Sequence, residues 1–413
     1  MAKSKSAHGK APKNPAAAAI APTPAPPTAE SAPSNPTAAQ HLAIEDFRRE
    51  IDECDRQIVE LINRRARAGC EIGKIKRREG APVWVPSRES AVYDRVLALN
   101  NGPLPDDCFR AIYREIMAGT ITLQRPLRIS YFGVAGSFTH QAALQKFGTG
   151  GVTYVAAPTF DDVFKAVERQ HADFGIVPIE NSTEGGINEV IDRLAATHLK
   201  IAGEVYLPVH QNLICAGPFE GIRAVASHPQ PLAQCRQWIR ANLPKAEQQK
   251  SSSTVEAIEW AVKDPTLAAI GSTLAARIYD LPILFRNIED VPDNITRFLI
   301  IGAASPGRSG KDKTSLMFAI KDAPGALYEM LSGFQKYKVN MSRIESRPSK
   351  RKAWEYIFFV DLQGHIEDEA VAKAVAELET RCKHIEVLGS YPAMEMLAVP
   401  SSVPQEVASE RGG

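Results

Sequence analysis

The hydrophobic pattern changes character three times along this chain, and each change marks a region. Stepping alternately three and four residues from Arg48 gives Ile51, Asp55, Ile58, Ile62, Arg65, Gly69, Ile72 and Lys76. That is the seam of an amphipathic helix sustained over four heptads. A long helix is expected from His41 to about Arg78, broken by "EGAPVWVPS" and resuming at Ser87. A third helix follows "NNGPLPDD", with Asp106 or Asp107 as its N-cap. Helices of such unequal length make a poor core alone, so a homodimer wrapping the long helices together is expected.

From about residue 127 to 303 the period shortens to brief apolar runs, many of them leading into a helix. "RISYFGV" precedes a helix opened by "GSFTHQAAL", and "VTYVAA" precedes "TFDDVFKAVERQ", with Thr159 as N-cap and Asp162 closing a capping box. "FGIVPIEN", "KIAGEVYLPV", "NLICAG", "AVAS", "AAIGS" and "RFLIIGA" read as further strands. The alternation indicates an α/β fold with its ligand at the carboxyl ends of the strands, and two lobes around a cleft. "ASPGRSGKDK" is a linker by composition. Beyond it "TSLMFAI", a helix with Pro324 in its first turn, "VNMSRIESR", "WEYIFFVDL", a helix near 367–381 and "HIEVLGS" give β-α-β-β-α-β. That is a small ferredoxin-like module. The division expected is a disordered Ala/Pro-rich tail (1–40), a helical domain (41–125), an α/β domain (127–303), an α+β module (314–393) and a loose end (394–413).

Composition narrows the function. A formal net charge of +1 argues against a general nucleic-acid or membrane-surface binder. Six cysteines form no CxxC pair, which is the usage of a reducing cytoplasm rather than of a zinc site or a secreted scaffold. A cytoplasmic enzyme without metal or cofactor is expected, and no run reaches the roughly 18 apolar residues of a membrane span.

The first stripe carries three cations where apolar residues belong. Arg48 and Arg65 are seventeen residues apart, roughly 26 Å along a straight helix, and Arg65 and Lys76 roughly 16 Å. The latter two can converge on one small ligand; Arg48 cannot join them without a bend. A second, antiparallel copy would bring its own Arg48 to the empty end, so the spacing suggests a site shared between two chains. The competing reading is that these cations snorkel to water at the stripe's edges. Buried cations need anions, and the ligand implied is small and multiply negative, such as a dicarboxylate. No Ser/His/Asp set, carboxylate pair or metal cluster accompanies them, so the chemistry is electrostatic stabilisation and restraint.

Helix one with Arg48, Arg65 and "GKIK", then "VPSRES" and "GTITLQ", resembles the all-helical type of chorismate mutase. The resemblance implies an intertwined helical dimer that rearranges chorismate to prephenate by a pericyclic shift. It implies that Arg65, Lys76 and Arg88 grip the carboxylates and the ether oxygen, with Arg48 supplied by the other subunit. Glu89 would hold the substrate hydroxyl, and Gln124 would donate to the ether oxygen, with Thr120 one turn before it. Val85 stands where some members carry an Asp, which leaves open a helical domain that serves only for dimerisation.

In the middle region "GSFTHQAA", "VPIENSTEGGINEVID", "SHPQPLAQC" and "DNITRF" each follow a β-run and suggest one shared cleft. Together they resemble prephenate dehydratase, and the order of motifs is that of the bacterial bifunctional chorismate mutase–prephenate dehydratases. The resemblance implies a two-lobed fold similar to periplasmic binding proteins that converts prephenate to phenylpyruvate with loss of carbon dioxide and water. Thr296 is then the donor to the departing hydroxyl. Asn181, Ser182 and Gln234 line the cleft, Glu180 is a second proton-handling group, and Arg297 faces a carboxylate or braces its strand. Ser137, at a helix start, lies where backbone N–H groups favour an anion. His228, before a proline at a helix start, reads as structural.

"DAPGALYEML" beside "RIESRPSKRKAWEY" resembles the amino-acid-binding ACT domains. The resemblance implies phenylalanine bound between paired modules around Gly325, Ala326 and Leu327 and around Glu345, Ser346, Arg347 and Pro348, with feedback inhibition of the dehydratase. Two alternatives fit the same residues: an enzyme acting on arogenate, and a non-enzymatic phenylalanine-sensing regulator.

Overall fold

The computed structural model describes residues 38–79, 84–320, 323–348 and 356–394, so the amino-terminal tail and the loose carboxyl end expected from the sequence lie outside the described residues. The helical region comprises α1 (Ala38–Glu79), α2 (Pro86–Ala98) and α3 (Asp106–Gln124). Pro86 opens α2 in its first turn, where a missing N–H costs nothing. The N-cap of α3 is Pro105, which corrects the expected aspartate cap. Asp106 and Asp107 instead fall in the first turn, where their charge favours the helix dipole.

Residues up to Leu61 form a unit of their own. Within that stretch Phe47, Ile51, Ile58, Val59 and Leu61 are each more than half exposed, and Arg48 pairs with Glu45 at 2.5 Å.

The rest of the chain contains three sheets. The first is built from β1 (Arg128–Phe132), β2 (Thr153–Ala157), β3 (Phe174–Asn181), the two-residue β4 (Gly185–Gly186), β5 (Lys200–Pro208) and, much later in sequence, β11 (Ile295–Gly302). Its order is β2-β1-β3-β11-β5, with β4 on β3; β1 runs parallel to its neighbours and β11 antiparallel to both of its own. Helices α4 (Phe138–Phe147), α5 (Phe160–Glu168) and α6 (Asn188–Leu194) connect these strands. Thr159 caps α5 by accepting from the Asp162 N–H, while its own hydroxyl donates to the Asp162 carboxylate.

The second sheet uses β6 (Asn212–Ile214), β7 (Ala224–Ser227), β8 (Glu247–Lys250), β9 (Leu267–Gly271) and β10 (Ile283–Phe285), in the order β10-β6-β9-β7-β8. Around it lie α7 (Pro229–Gln234), α8 (Arg236–Asn242), α9 (Thr254–Lys263) and α10 (Thr273–Ile278). The chain enters this lobe after β5 and leaves it before β11, so two crossings join the lobes. The third sheet is β12 (Asp312–Ala319), β13 (Met341–Pro348), β14 (Tyr356–Gln363) and β15 (His384–Pro392), ordered β13-β14-β12-β15 and antiparallel throughout. Helices α11 (Ala326–Lys336) and α12 (Glu369–Arg381) complete the β-α-β-β-α-β module.

Two cores cross the sequence boundaries. Trp84 is buried among Leu127, Ile129, Phe147, Phe298 and Ile300, with Phe147 and Phe174 at ring-centroid distances of 5.0 and 4.7 Å. On the opposite face of the first sheet, Val177, Ile179, Ile201, Leu299 and Ile301 share a core with Met317, Phe359, Leu388 and Tyr391 of the third. The first sheet is thereby covered on both faces. No helix among the described residues is long and apolar enough to cross a membrane.

Candidate functional sites

The first site is a cavity of about 550 Å³ walled by the second half of α1, by α2 and α3, and by α4. Arg65, Lys76, Arg88, Glu89, Thr120 and Gln124 all line it, with Trp84, Val85, Ile121 and Leu127 as its apolar wall. Two glycines one helical turn apart make this possible. A methyl on Gly69 would overlap Thr120 Cγ2, and one on Gly73 would stand 2.5 Å from Gln124 Cγ, so α1 and α3 meet where only glycine fits. Arg65 Nη1 lies 3.4 Å from Thr120 Oγ1, whose own proton goes to the Ile116 carbonyl at 2.7 Å. Burial, and then the neighbouring Arg88, hold the Lys76 ammonium below its ordinary range. Gln124 Oε1 is buried without a protein partner. Val85 contributes an apolar contact to this wall.

Four wall residues come from beyond the helical region: Leu127, Lys146, Phe147 and Val152. Of these, Lys146 and Phe147 stand on the last turn of α4. The Lys146 Nζ lies 3.1 Å from Glu89 Oε2, to which Trp84 Nε1 also donates at 3.0 Å. No periodic signal in the sequence links a lysine in "LQKFG" to Glu89, fifty-seven residues upstream (146 minus 89).

The second site is a cleft of about 720 Å³ between the first and second sheets. Thr296, Asn181, Ser137 and Gln234 line it, together with Asn294, Gln211, His228 and Phe298. Asn181 is held from every side. Its carbonyl oxygen accepts from the Thr183 N–H at 3.0 Å and the Thr183 hydroxyl at 2.6 Å, and its amide donates to Asn294 Oδ1 at 2.7 Å and to Thr296 Oγ1 at 2.8 Å. Thr296 therefore accepts from Asn181 and keeps its own proton for another acceptor. Ser137 caps α4, accepting from the His140 N–H at 3.2 Å. Gln234 Oε1 accepts from Gln211 Nε2 at 3.1 Å. His228 caps α7 through Nδ1, the structural part expected of it.

Three expected cleft residues lie elsewhere. Successive strand residues alternate between faces, so Arg297 points away from the side Thr296 takes. Its guanidinium is buried, with Nε 2.8 Å from Glu204 Oε2, Nη1 2.5 Å from Asp361 Oδ2 and Nη2 3.0 Å from the Tyr391 hydroxyl. Arg297 braces its strand against the third sheet and does not bind substrate in the cleft. Glu180 pairs in register with Arg297 and is ion-paired with Arg343 of β13 at 2.9 Å. A register shift beside it leaves Pro178 and Asn181 on the cleft and turns Glu180 toward the third sheet, away from any proton transfer there. Ser182 is exposed outside the cleft lining and ties two loops together, accepting from the Ile295 N–H at 2.9 Å. Asn294 was missed, although it stands two residues before Thr296 in "NIT" and so shares its face.

In the third sheet Gly325 caps α11 with φ of 80° and open space beside it, with Ala326 and the partly exposed Leu327 following. Strand β13 splits the "ESRP" residues by face. Ser346 and Pro348 are exposed. Glu345 lies against Gly186 of the cleft wall, and Arg347 pairs with Asp192 at 2.7 Å and donates to the Asn188 carbonyl.

Comparison with known proteins matches three family models in order. Chorismate mutase type II covers residues 47–125, prephenate dehydratase 129–306 and the ACT domain 314–380. The chain is 43% identical over 354 residues to the bifunctional chorismate mutase/prephenate dehydratase of Aquifex aeolicus, covering 84% of this chain and 98% of the relative. It is also 43% identical to the corresponding protein of Neisseria gonorrhoeae, over 84% of this chain and 96% of that one. Among solved structures, the prephenate dehydratase of Arthrobacter aurescens in complex with L-Phe superposes with a TM-score of 0.60 at 34% identity, covering 65% of this chain and 90% of that one.

Proposed function

The chain belongs to the bifunctional chorismate mutase/prephenate dehydratases, and we propose how its residues divide the work. Chorismate rearranges to prephenate in the helical pocket, prephenate loses carbon dioxide and water in the cleft, and phenylalanine restrains the second step from the ACT domain. The domains divide near residue 125 and within 304–313.

In the pocket Arg65, Lys76 and Arg88 hold the dianion in the folded geometry that the rearrangement needs. Gln124 donates to the ether oxygen as negative charge grows there, and Thr120 steadies Arg65. Arg48 of the partner subunit completes the enclosure. The apolar stripe left exposed between Phe47 and Leu61 favours a homodimer in which that half of α1 finds its cover.

In the cleft the Thr296 hydroxyl donates to the departing hydroxyl group, oriented by Asn181, which in turn is fixed by Thr183 and Asn294. Ser137 and the first turn of α4 face a carboxylate. A free threonine is far too weak an acid to give up its proton outright, so departure is assisted by a hydrogen bond as the ring becomes aromatic. Phenylalanine sits between paired ACT domains at Gly325–Leu327 and the exposed Ser346 and Pro348. Its effect passes through Glu345, which rests on Gly186 of the cleft wall, and Arg347, which is tied to α6 beside it. The observation that carries the reading is the Asn181–Thr296 hydrogen bond aimed into a cleft whose other wall is polar.

The test supplies chorismate to the purified chain and follows prephenate and phenylpyruvate, with and without phenylalanine. Both products should form, phenylalanine should suppress the second, and Thr296→Val should accumulate prephenate with dehydratase kcat reduced by about 10²-fold or more. Normal phenylpyruvate formation by Thr296→Val would remove Thr296 from the reaction.

A further inference from the structure

The helical pocket is not finished by the helical domain. Its carboxylate, Glu89, sits on the first turn of α2 with a side chain only 11% exposed, among Trp84, Val85 and Phe147. A carboxylate so placed needs a cation or a ring of donors. The three cations assigned to the substrate are poor candidates, because a substrate dianion competes for each of them. The partner that Glu89 has is Lys146, 16% exposed, at the end of a helix belonging to the dehydratase.

Both donors that reach Glu89 among the described residues, Lys146 Nζ and Trp84 Nε1, land on Oε2. Oε1 is left for a hydroxyl in the cavity. The Lys146 ammonium also lies over Trp84, its Nζ 5.5 Å from the ring centroid, and Trp84 is anchored in the dehydratase core. Orientation of Glu89 is thus set in part from outside the domain that carries it, by Lys146 directly and by the packing that holds Trp84.

We propose that Lys146 is a positioning residue of the mutase site: it fixes Glu89 through Oε2 and cancels its charge, so that the site is complete only with the dehydratase domain docked against it. This rests on reading the pocket as the mutase site. With Lys146 neutral, Glu89 swings toward Arg88 or Lys76, takes a cation from the substrate and loses its grip on the hydroxyl. The chemical step suffers more than binding does, since three cations still face the dianion.

The experiment uses the full chain and measures mutase kcat and KM on chorismate beside dehydratase kcat/KM on prephenate supplied directly. Lys146→Gln should lower mutase kcat by about tenfold or more with a smaller change in KM, and leave the dehydratase within about twofold. Lys146→Arg should restore most of the loss. In a Glu89→Gln background, Lys146→Gln should cost less than about twofold more, because the two groups act as one unit.

Mutase activity unchanged in Lys146→Gln overturns the proposal, as does an undiminished loss in the Glu89→Gln background. Parallel loss of both activities marks a folding defect; Lys146→Met, which keeps an apolar stem, then replaces Gln, and parallel loss there too overturns it. If the parent protein turns over no chorismate, the reading of the pocket fails and the proposal with it; turnover by the parent with an indifferent Lys146 fails the proposal alone.

Discussion

At the scale of single residues, function here is decided by which partner each polar atom already has. In the proposed reading Thr296 can give its proton because Asn181 already donates to its oxygen. Lys76 is useful because it is charged, and its environment makes that charge conditional. Burial, and secondarily Arg88, lower its pKa from the ordinary 10.5. A lowered lysine pKa means that the ammonium, the form that attracts a dianion, is lost earlier as pH rises. Mutase kcat/KM should therefore decline, as pH rises, over a range that ends below the ordinary lysine value of 10.5. Lys76→Arg, which keeps its proton, should start from a lower rate but stay level over that range. An alkaline decline identical in the Arg variant would assign it to another group. Much of this was legible in the sequence: Asn181, Gln234 and Thr296 stood out as polar residues directly after apolar runs. Arg297 stayed open between a carboxylate and bracing its strand, and Glu180 misled, because only the alternation of a strand and one register shift decide which face they take. Lys146 carried no local signal, since its partner lies on a different element and in a different domain.

At the scale of elements, periodicity gave the strands and helices closely where burial is one-sided or complete, and failed where neither holds. Strand β8 reads Glu-Gln-Gln-Lys; it is an edge strand paired only with β7, so nothing apolar marks it. The four-heptad stripe announces α1, but the spacing says nothing of why a glycine stands at position 69 of it. Gly69 is the point at which α1 and α3 approach, one turn before Gly73, and both oppose residues of the pocket. Gly69→Ala keeps or improves helix propensity, so a propensity argument predicts no harm. The geometry predicts otherwise. A methyl there overlaps Thr120 Cγ2, and separating the helices by about an ångström misplaces Thr120 and Gln124 together, with mutase kcat/KM falling about 10²-fold. Dehydratase activity of the same sample should stay within about twofold. Undisturbed mutase activity would mean that the helices slide apart without moving the pocket.

At the scale of the whole molecule, the catalytic and regulatory regions are not beads on a string. Helix α4 begins at the dehydratase cleft, with Phe138 and Thr139 in its lining, and ends in the mutase pocket with Lys146. Eight residues separate those walls, about 12 Å along the helix. Strand β11 does the same across its thickness: Thr296 faces the cleft, and Arg297 is locked to Asp361 and Tyr391 of the ACT sheet. The centre of that lock is Glu204, whose side chain is wholly buried. It accepts from Arg297 Nε at 2.8 Å, from Lys313 Nζ at 2.8 and 2.9 Å, and from the Met394 N–H at 3.0 Å. Burying such a cluster gains little over a well-packed apolar core, but breaking it is costly, because each charge left behind has no water to turn to. Glu204→Ala leaves Arg297 with Asp361 and the Tyr391 hydroxyl, and Lys313 with the Tyr206 hydroxyl and no carboxylate. Denaturant unfolding should show it about 3–5 kcal/mol less stable. Because the core beneath is shared, the dehydratase and ACT sheets should melt in one transition. Glu204→Gln, which keeps the volume and an accepting oxygen, should lose less. An Ala variant within about 1 kcal/mol of the parent, or two separated transitions, would show that the ACT domain leans on the dehydratase without being built into it, and a phenylalanine signal would then have to travel by way of the β13 contacts of Arg343, Glu345 and Arg347.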